Sequence, residues 1–353
     1  MYKWLNSNEL RNISRSAFSG LTQLRSLNLE NNLIESIHAG AFNGLPNLRG
    51  LRLNSNELRN ISRSAFSGLT QLRSLDLSKN SIESIHGGAF EGMPNLGALY
   101  LNDNRLIYIS RATFSGLTQL NSLFLDGNLL RNISRATFSG LTRLRTLCAT
   151  NNGLESIDEG AFEGVPNILL LDLGFNRLRN NSLASFKGLT QLRTLDLYNN
   201  TFESIADGGF EGVPNLSSLN FGNNLIESIH AGAFNGLPNL GDLLLNSNEL
   251  RNISRAAFSG LTQLRLLDLS KNSIESIHDG AFEGMPNLGT LDLASNPLIC
   301  DCHLQWLKKT VQSGQPQPKV IGVCSQPAHM KGRDLANVTQ ADLTCRTQTG
   351  AAF

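Results

Sequence analysis

The 353-residue sequence lacks several features that would point to common functions. It has no surplus of positive charge, because 30 Lys and Arg residues stand against 29 Asp and Glu residues. Binding to nucleic acid or to an anionic membrane would need a basic surface. No apolar run reaches the ~18 residues that a membrane-spanning helix requires. We therefore expect neither nucleic-acid binding nor direct membrane insertion. Residues 1–5 contain no signal-peptide stretch, so secretion would mean that a leader had been removed.

Catalytic motifs are missing as well. The sequence has no phosphate-binding glycine loop, no zinc-protease motif and no nucleophile elbow. Two of the six histidines, His303 and His329, have no visible nucleophile partner. The other four occupy one repeated position, which is typical of a scaffold: His38, His86, His230 and His278. We expect no enzyme activity, no cofactor and no metal ion.

The sequence does contain a repeat of 24 residues. One copy, residues 24–34, reads Leu-x-x-Leu-x-Leu-x-x-Asn-x-Ile, and the pattern recurs without insertion or deletion through residues 288–296. Twelve of the 17 phenylalanines share one register, from Phe18 to Phe282. Such self-similarity indicates a stack of identical units, in which each unit buries its apolar face against its neighbours.

Each unit combines a short strand with a return segment. Leu27 and Leu29 alternate with polar residues, which predicts a strand with one buried face. Gly44 and Pro46 favour turns or short helical pieces on the way back. The repeated asparagine is predicted to satisfy backbone groups where the chain turns inward, and so to form a ladder through the stack. We expect the phenylalanines to fill the space behind the strands.

This pattern resembles the leucine-rich-repeat family. The resemblance implies an α/β leucine-rich-repeat solenoid, or horseshoe, with a parallel β-sheet on the concave face and short helices and turns on the convex face. Residues 1–23 form a partial N-terminal repeat, 24–295 the repeats, 296–346 a cysteine-rich C-terminal cap and 347–353 a tail. The N-terminus has no matching cysteine-rich cap. Either a cap has been removed, or the first partial repeat shields the stack.

Four of the five cysteines follow the last repeat. The run Cys-Asp-Cys-His-Leu-Gln-Trp-Leu, residues 300–307, resembles the C-terminal cap of extracellular leucine-rich-repeat proteins such as Slit and Toll-type ectodomains. Four cysteines allow three connectivities, and the resemblance implies the pairs Cys300–Cys324 and Cys302–Cys345. A zinc site is the competing interpretation. The fifth cysteine, Cys148, is either a tolerated single thiol or the site of an intermolecular bridge.

Eight Asn-x-Ser/Thr sequences fit a secreted or cell-surface glycoprotein. Several are copies of one Asn-Ile-Ser segment, so they are not independent signals. We expect most of them to lie off the strands. The candidate glycosylation sites are Asn12, Asn60, Asn132, Asn180, Asn199, Asn215, Asn252 and Asn337.

The outward positions of the strands vary, whereas the return segments are near copies of one another. These columns carry nine acidic and three basic residues and several aromatic ones. Drift at exposed positions would explain single changes, but clustered exposed aromatic side chains favour binding. The aromatic candidates for ligand contact are Tyr100, Phe124, Phe175 and Tyr198. The acidic candidates are Asp126, Asp172, Asp196, Asp242, Asp268 and Asp292.

The unit length, the reshuffled modules and the variable strand positions are similar to those of variable lymphocyte receptors. That resemblance implies a non-catalytic immune receptor, which binds a microbial surface or a protein or glycan antigen through its concave face. The alternative is a cell-adhesion or guidance module that binds one host protein. In either case we expect an extracellular monomer.

Overall fold

A computed structural model describes residues 1–307 and 317–345. The tail at 347–353 and two parts of the cap, 308–316 and Arg346, lie outside the described residues. The chain divides into two compact units, Met1–Leu192 and Arg193–Phe353. Each unit is built from three-residue parallel strands that follow one another in chain order. Both therefore have the predicted solenoid construction.

The first unit contains eight such strands. Neighbours pair with a register of 24 residues, so Ser122 lies opposite Ala98 and Phe124 opposite Tyr100. The strands are Tyr2–Trp4, Ser26–Asn28, Gly50–Arg52, Ser74–Asp76, Ala98–Tyr100, Ser122–Phe124, Thr146–Cys148 and Leu170–Asp172. The first strand packs against Ser26–Asn28, whose Leu27 is fully buried, while Trp4 itself is exposed.

The second unit contains six three-residue strands. The first five continue the 24-residue register, and the last comes from the cap and pairs with Thr290–Asp292. The strands are Thr194–Asp196, Ser218–Asn220, Asp242–Leu244, Leu266–Asp268, Thr290–Asp292 and Lys319–Ile321.

The return segments contain the predicted turns and few short helices, and also short strands that the sequence did not predict. They are mostly turns, together with two-residue strands that pair between neighbouring repeats. These strands are Asn12–Ile13, Ser36–Ile37, Asn60–Ile61, Ser84–Ile85, Asn132–Ile133, Ser156–Ile157, Ser204–Ile205, Ser228–Ile229, Asn252–Ile253 and Ser276–Ile277. Short 3-10 helices lie at Asn180–Phe186, Cys302–Leu304 and Leu335–Asn337, and residues 305–307 in the cap are α-helical. A return of about a dozen residues with two glycines has no room for a regular α-helix.

The core consists of the leucine columns and the phenylalanine column. In the first unit the rings from Phe18 to Phe186 stack on one another at 5.9–6.4 Å between centroids. In the second unit the column runs from Phe210 to Phe282 and ends on Trp306, 5.8 Å from Phe282. Trp306 lies 24 residues after Phe282, so one core column continues past Asn296, where the sequence pattern had suggested that the periodicity stops.

The repeated asparagines form the predicted ladder. Asn56 donates from Nδ2 to the carbonyl oxygens of Leu29 and Leu53, and its Oδ1 accepts from the amide of Ile34. The same bonds recur along each unit. These side chains satisfy backbone groups that would otherwise be buried without partners, so their structural role is confirmed.

The cap covers the last repeat of the second unit. Its strand Lys319–Ile321 lies against Thr290–Asp292, and Leu291 and Leu293 are buried. The cap contains the disulfides Cys300–Cys324 and Cys302–Cys345, with Cα–Cα distances of 5.6 and 4.9 Å. This is the pairing that the resemblance implies. Because Cys302 and Cys345 are bonded to each other, they offer no thiolates to zinc, although His303 lies close by.

Within the described residues, no helix has both the length and the apolar character that crossing a membrane demands.

Candidate functional site

The outward side chains of the three-residue strands, with the two or three residues that follow each strand, form a surface that we call the strand face. Its central row in the first unit consists of the third residue of each strand. The 24-residue register places these residues side by side, in the order Trp4, Asn28, Arg52, Asp76, Tyr100, Phe124, Cys148 and Asp172. In the second unit the row contains Asp196, Asn220, Leu244, Asp268 and Asp292.

Tyr100 and Phe124 form a stacked aromatic pair on this face. Their ring centroids lie 4.8 Å apart and the ring planes differ by 3°, a separation close to the roughly 4.8 Å between neighbouring strands. Both side chains are half-buried, as are Asp76, Cys148 and Asp172 in the same row, instead of fully solvent-exposed as the sequence suggested. Their outer edges form a flat apolar surface that a ligand can cover.

Cys148 continues the apolar surface beside Phe124. Burial, together with the nearby carboxylates of Asp126 and Asp172, raises the pKa of its thiol to about 12. The thiol therefore stays neutral at physiological pH and is a poor nucleophile. This favours the tolerated single thiol over the intermolecular bridge.

Many strand-face aspartates have a local structural role that sequence reasoning missed. The Oδ1 atom of Asp268 accepts a hydrogen bond from the amide of Ser270 at 2.9 Å. Asp172, Asp196 and Asp292 make the same contact to the amide two residues on. Asn28 does so as well, accepting from the amide of Glu30. These side chains hold the turn that leaves the strand, and the sequence signal was the mixture of Asp and Asn in one column.

Asp126 and Asp242 lie in other columns. Asp126 reaches the next turn, where its Oδ1 accepts from both the amide and the hydroxyl of Thr150 at 2.9 Å. Asp242 is half-exposed at the first position of its strand, between Ser218 and Leu266. No salt bridge within residues 1–307 and 317–345 includes Asp126 or Asp242. Their negative charge is therefore open to a ligand.

Phe175 is the most exposed of the aromatic candidates. Its exposed fraction is 51%, and its φ of 54° lies in the left-handed region. The equivalent residue of every repeat has a φ between 50° and 63°, and the others are Asn, Ser, Lys, Asp and Gly, of which Gly, Asn and Asp tolerate it best. A bulky aromatic residue there costs backbone energy, which favours a functional over a structural role for Phe175.

Tyr198 lies in the second unit and is half-buried. A Cβ atom on Gly222 would come within 3.0 Å of the ring atom Cδ2 of Tyr198. The glycine therefore allows the ring to lie flat against the neighbouring turn. Of the four aromatic candidates, Tyr100 and Phe124 form a stacked pair within the first unit.

The structure gathers the remaining candidates into two groups. In the first unit, Asp126 and Asp172 flank Cys148 and the aromatic pair, and Asp76, which sequence reasoning did not single out, lies beside Tyr100. In the second unit, Asp268 and Asp292 occupy adjacent strands in the same column. Like charges at that spacing repel one another, so these pairs favour a cationic or hydrogen-bond-donating ligand.

The candidate glycosylation sites lie mainly off the strand face. Asn12, Asn60, Asn132 and Asn252 are exposed on the two-residue strands of the return segments. Asn215 and Asn337 are also exposed, whereas Asn180 and Asn199 are half-buried. Glycans at the return-segment sites would leave the strand face accessible.

Comparisons with known proteins agree with this architecture. The profile of the family described as Leucine rich repeat matches residues 5–58, 46–106, 98–154, 149–202, 190–250 and 238–298. No curated protein sequence matches the chain.

Several solved structures share the fold. A chain of the Drosophila Toll–Spatzle complex superposes with a TM-score of 0.74 and 23% identity, over 98% of this chain and 55% of that chain. A Leptospira interrogans leucine-rich-repeat protein superposes with a TM-score of 0.74 and 24% identity, over 92% of this chain and 77% of that protein. A chain of the octameric complex of Latrophilin 3, Unc5D and FLRT2 superposes with a TM-score of 0.68 and 24% identity, over 91% of this chain and 89% of that chain. This chain thus spans about half the length of the matched chain from the Toll–Spatzle complex.

Proposed function

Since this chain belongs to the leucine-rich-repeat family, we propose that it is a non-catalytic recognition receptor of the immune type. Its strand face binds a microbial surface, in particular a bacterial one, or a protein or glycan antigen. The receptor works outside the cell, secreted or at the cell surface, as a glycosylated monomer similar to variable lymphocyte receptors. It needs no cofactor.

The observation that carries this proposal is the Tyr100–Phe124 stack with carboxylates on both sides. An aromatic pair at 4.8 Å is flat, pre-ordered and apolar, and it loses little side-chain entropy when a ligand covers it. Asp76 follows on one side, and Cys148 and Asp172 on the other. Such a surface suits a ligand with an apolar or sugar-ring face and with cationic or hydroxyl groups at its edges.

The charge of the strand face narrows the ligand class. Its outward columns carry nine acidic and three basic residues in a chain whose net charge is +1. A field of this sign repels phosphate backbones and attracts ammonium-bearing surfaces. The proposal therefore excludes nucleic acid as the ligand.

A charge-neutralised variant tests this proposal. The double variant Asp172→Asn and Asp196→Asn should bind whole bacteria at least about tenfold more weakly, because two strand-face charges are lost. The amide of Asn can replace the turn-holding contact, as Asn28 and Asn220 do naturally. A control with Glu83→Gln and Glu159→Gln makes the same change in net charge at exposed positions off the strand face. Unchanged binding by the folded Asp172→Asn and Asp196→Asn variant would refute the electrostatic assignment.

The alternative function is that of a cell-adhesion or guidance module. It is favoured by the similarity to a chain of the complex of Latrophilin 3, Unc5D and FLRT2. An adhesion module should retain one tight partner when host ectodomains are screened and should ignore bacterial cells. The proposed immune receptor should bind bacterial cells and should retain no single tight partner among the host ectodomains.

A further inference from the structure

A second surface feature lies on the side of the first unit, away from the central row of the strand face. It is an open hollow of about 580 Å³ between the turns that follow the strands Ala98–Tyr100 to Leu170–Asp172. We call it the lateral hollow. Its lining includes Ile107, Leu129, Arg131, Gly153, Glu155 and Arg177.

The hollow exists because Gly153 has no side chain. Gly153 follows the ladder residue Asn152, and the equivalent positions on the flanking turns hold Leu129 and Arg177. It is the only glycine among the thirteen residues that follow a ladder asparagine. Its φ lies outside the left-handed region, and a Cβ atom there would touch only the carbonyl oxygen of Leu130, at an ordinary 3.6 Å. The backbone therefore does not require this glycine, whose effect is to leave room for one side chain.

Exposed apolar side chains border the hollow. Ile107 and Leu129 line it and have exposed fractions of 57% and 53%, and Tyr108, which follows Ile107 in the chain, is 61% exposed. In the four Asn-Ile-Ser copies of this return segment, the positions of Ile107 and Tyr108 hold Arg and Asn. The exchange removes a charge and a glycosylation sequence and adds apolar surface. Exposed apolar groups that are grouped around a hollow indicate a binding surface.

The rim of the hollow is basic. Arg131 and Arg177 line it, and the neighbouring Arg105 is exposed on the turn before Leu129. Among the residues that the structure describes, neither Arg131 nor Arg177 forms a salt bridge. Glu155 is the acidic residue of the lining. The net charge of the lining is therefore positive, whereas that of the strand face is negative. The two surfaces select ligands of opposite charge.

We propose that the lateral hollow binds an extended acidic segment of a partner protein. One aliphatic side chain of that segment lies over Gly153, against Leu129 and Ile107, and its carboxylates pair with Arg131 and Arg177. A sulfated sugar would satisfy the arginines but would leave Ile107 and Leu129 uncovered. The combination of apolar and basic surface therefore selects a protein segment over an anionic glycan.

A displayed library of short random peptides, selected on the whole chain, tests this site. All proteins carry Asn132→Gln, because a glycan on that residue would border the hollow. The enriched peptides should combine Asp or Glu with Leu, Ile or Val. The peptides should bind the variant Gly153→Leu, in which the new side chain fills the hollow, at least about tenfold more weakly than the parent protein. The double variant Arg131→Glu and Arg177→Glu should weaken their binding by a similar factor.

Two controls separate this site from the rest of the chain. Ser273→Leu adds the same side chain at the equivalent position of a distant repeat, and the double variant Tyr100→Ala and Phe124→Ala changes only the strand face. Both should bind the selected peptides like the parent protein. Equal binding of these peptides by a folded Gly153→Leu variant overturns the proposal. So does a selection that enriches no acidic–aliphatic peptides while heparin binds the parent protein.

Discussion

At the scale of single residues, the strand face combines structural and binding chemistry in the same side chains. Asp196 accepts from the amide of Tyr198 with one carboxylate oxygen and from the side chain of Asn220 with the other. Asn220 repeats the turn-holding contact without a charge. The shape of an Asp or Asn side chain therefore suffices for the fold, and the negative charge is an addition. This separation makes Asp→Asn exchanges a clean probe of the electrostatics.

Cys148 gives a pH prediction at the residue scale. Its folded-state pKa is raised to about 12, above the roughly 8.5 of an unfolded-chain thiol. The stability that the neutral thiol contributes is therefore fully present below about pH 8.5 and is lost as the pH rises towards 12. Alkylation of the native protein by iodoacetamide should be slow at pH 8 and should accelerate only in strongly alkaline solution.

The control for this titration is the same protein in denaturant. There the single free thiol should titrate near 8.5 with the disulfides intact. A native thiol that already reacts at the denatured rate at pH 8 would contradict the burial and the carboxylate field described for Cys148.

The sequence predicted which columns face outward but not what each side chain does there. The register of Tyr100 and Phe124 follows directly from the 24-residue period. The half-burial of each ring could not be predicted, because it depends on how closely the side chains of neighbouring strands pack. Nor could the turn-holding contacts of Asp172 and Asp268, because they depend on local backbone angles.

At the scale of elements, the asparagine ladder stabilises each turn of the stack. Asn128 is 4% exposed and donates to the carbonyl oxygens of Leu101, Leu125 and Asp126 while it accepts from the amide of Leu106. Each bond joins one repeat to itself or to its neighbour. The ladder therefore satisfies backbone groups in and next to the turns that the three-residue strands leave without partners.

Asn128→Ala should lower the free energy of unfolding by at least about 2 kcal/mol, because it leaves buried backbone groups without partners. Asn8→Ala is the matched control. Asn8 is exposed and donates to the carbonyl oxygens of Leu5 and Asn6, bonds that water can replace, so the loss in Asn8→Ala should be below about 1 kcal/mol. Urea denaturation measures both losses in the free energy of unfolding. Equal losses would contradict the claim that the buried asparagines stabilise the stack more than an exposed one does.

The return segments show where sequence reasoning is weaker at this scale. Glycine and proline positions correctly exclude long helices. They do not reveal the two-residue strands, because Asn-Ile and Ser-Ile pairs acquire strand geometry only by pairing with the next repeat. At Tyr108 and Ile109 that strand is absent, although the surrounding segment is a near copy of Asn60–Ile61 and its neighbours.

At the scale of the whole molecule, the sequence predicted the solenoid, because one period of 24 residues dictates neighbour packing. It did not predict the division into Met1–Leu192 and Arg193–Phe353, because no break in the period marks it. The continuation of the phenylalanine column into Trp306 was readable from spacing alone. The cap is thus packed as one more turn of the second unit.

The disulfides should stabilise the end of that second unit. Cys300–Cys324 and Cys302–Cys345 close loops with sequence separations of 24 and 43 residues, and each should contribute about 3 kcal/mol through the entropy of the unfolded chain. Reduction should therefore lower the urea midpoint. The comparison uses a Cys148→Ser background to prevent disulfide exchange. An unchanged midpoint after complete reduction would refute this role.

The central claim is that the strand face of this chain recognises a microbial surface. The most direct measurement probes fixed bacterial cells, microbial glycans and host ectodomains with the parent chain and with the double variant Tyr100→Ala and Phe124→Ala. Tyr108→Ala, an exposed tyrosine off the strand face, is the matched control. We predict binding to bacterial cells or glycans that falls at least about tenfold in the double variant and persists in the control. Binding to a single host ectodomain alone, or bacterial binding that the folded double variant retains, would contradict the account.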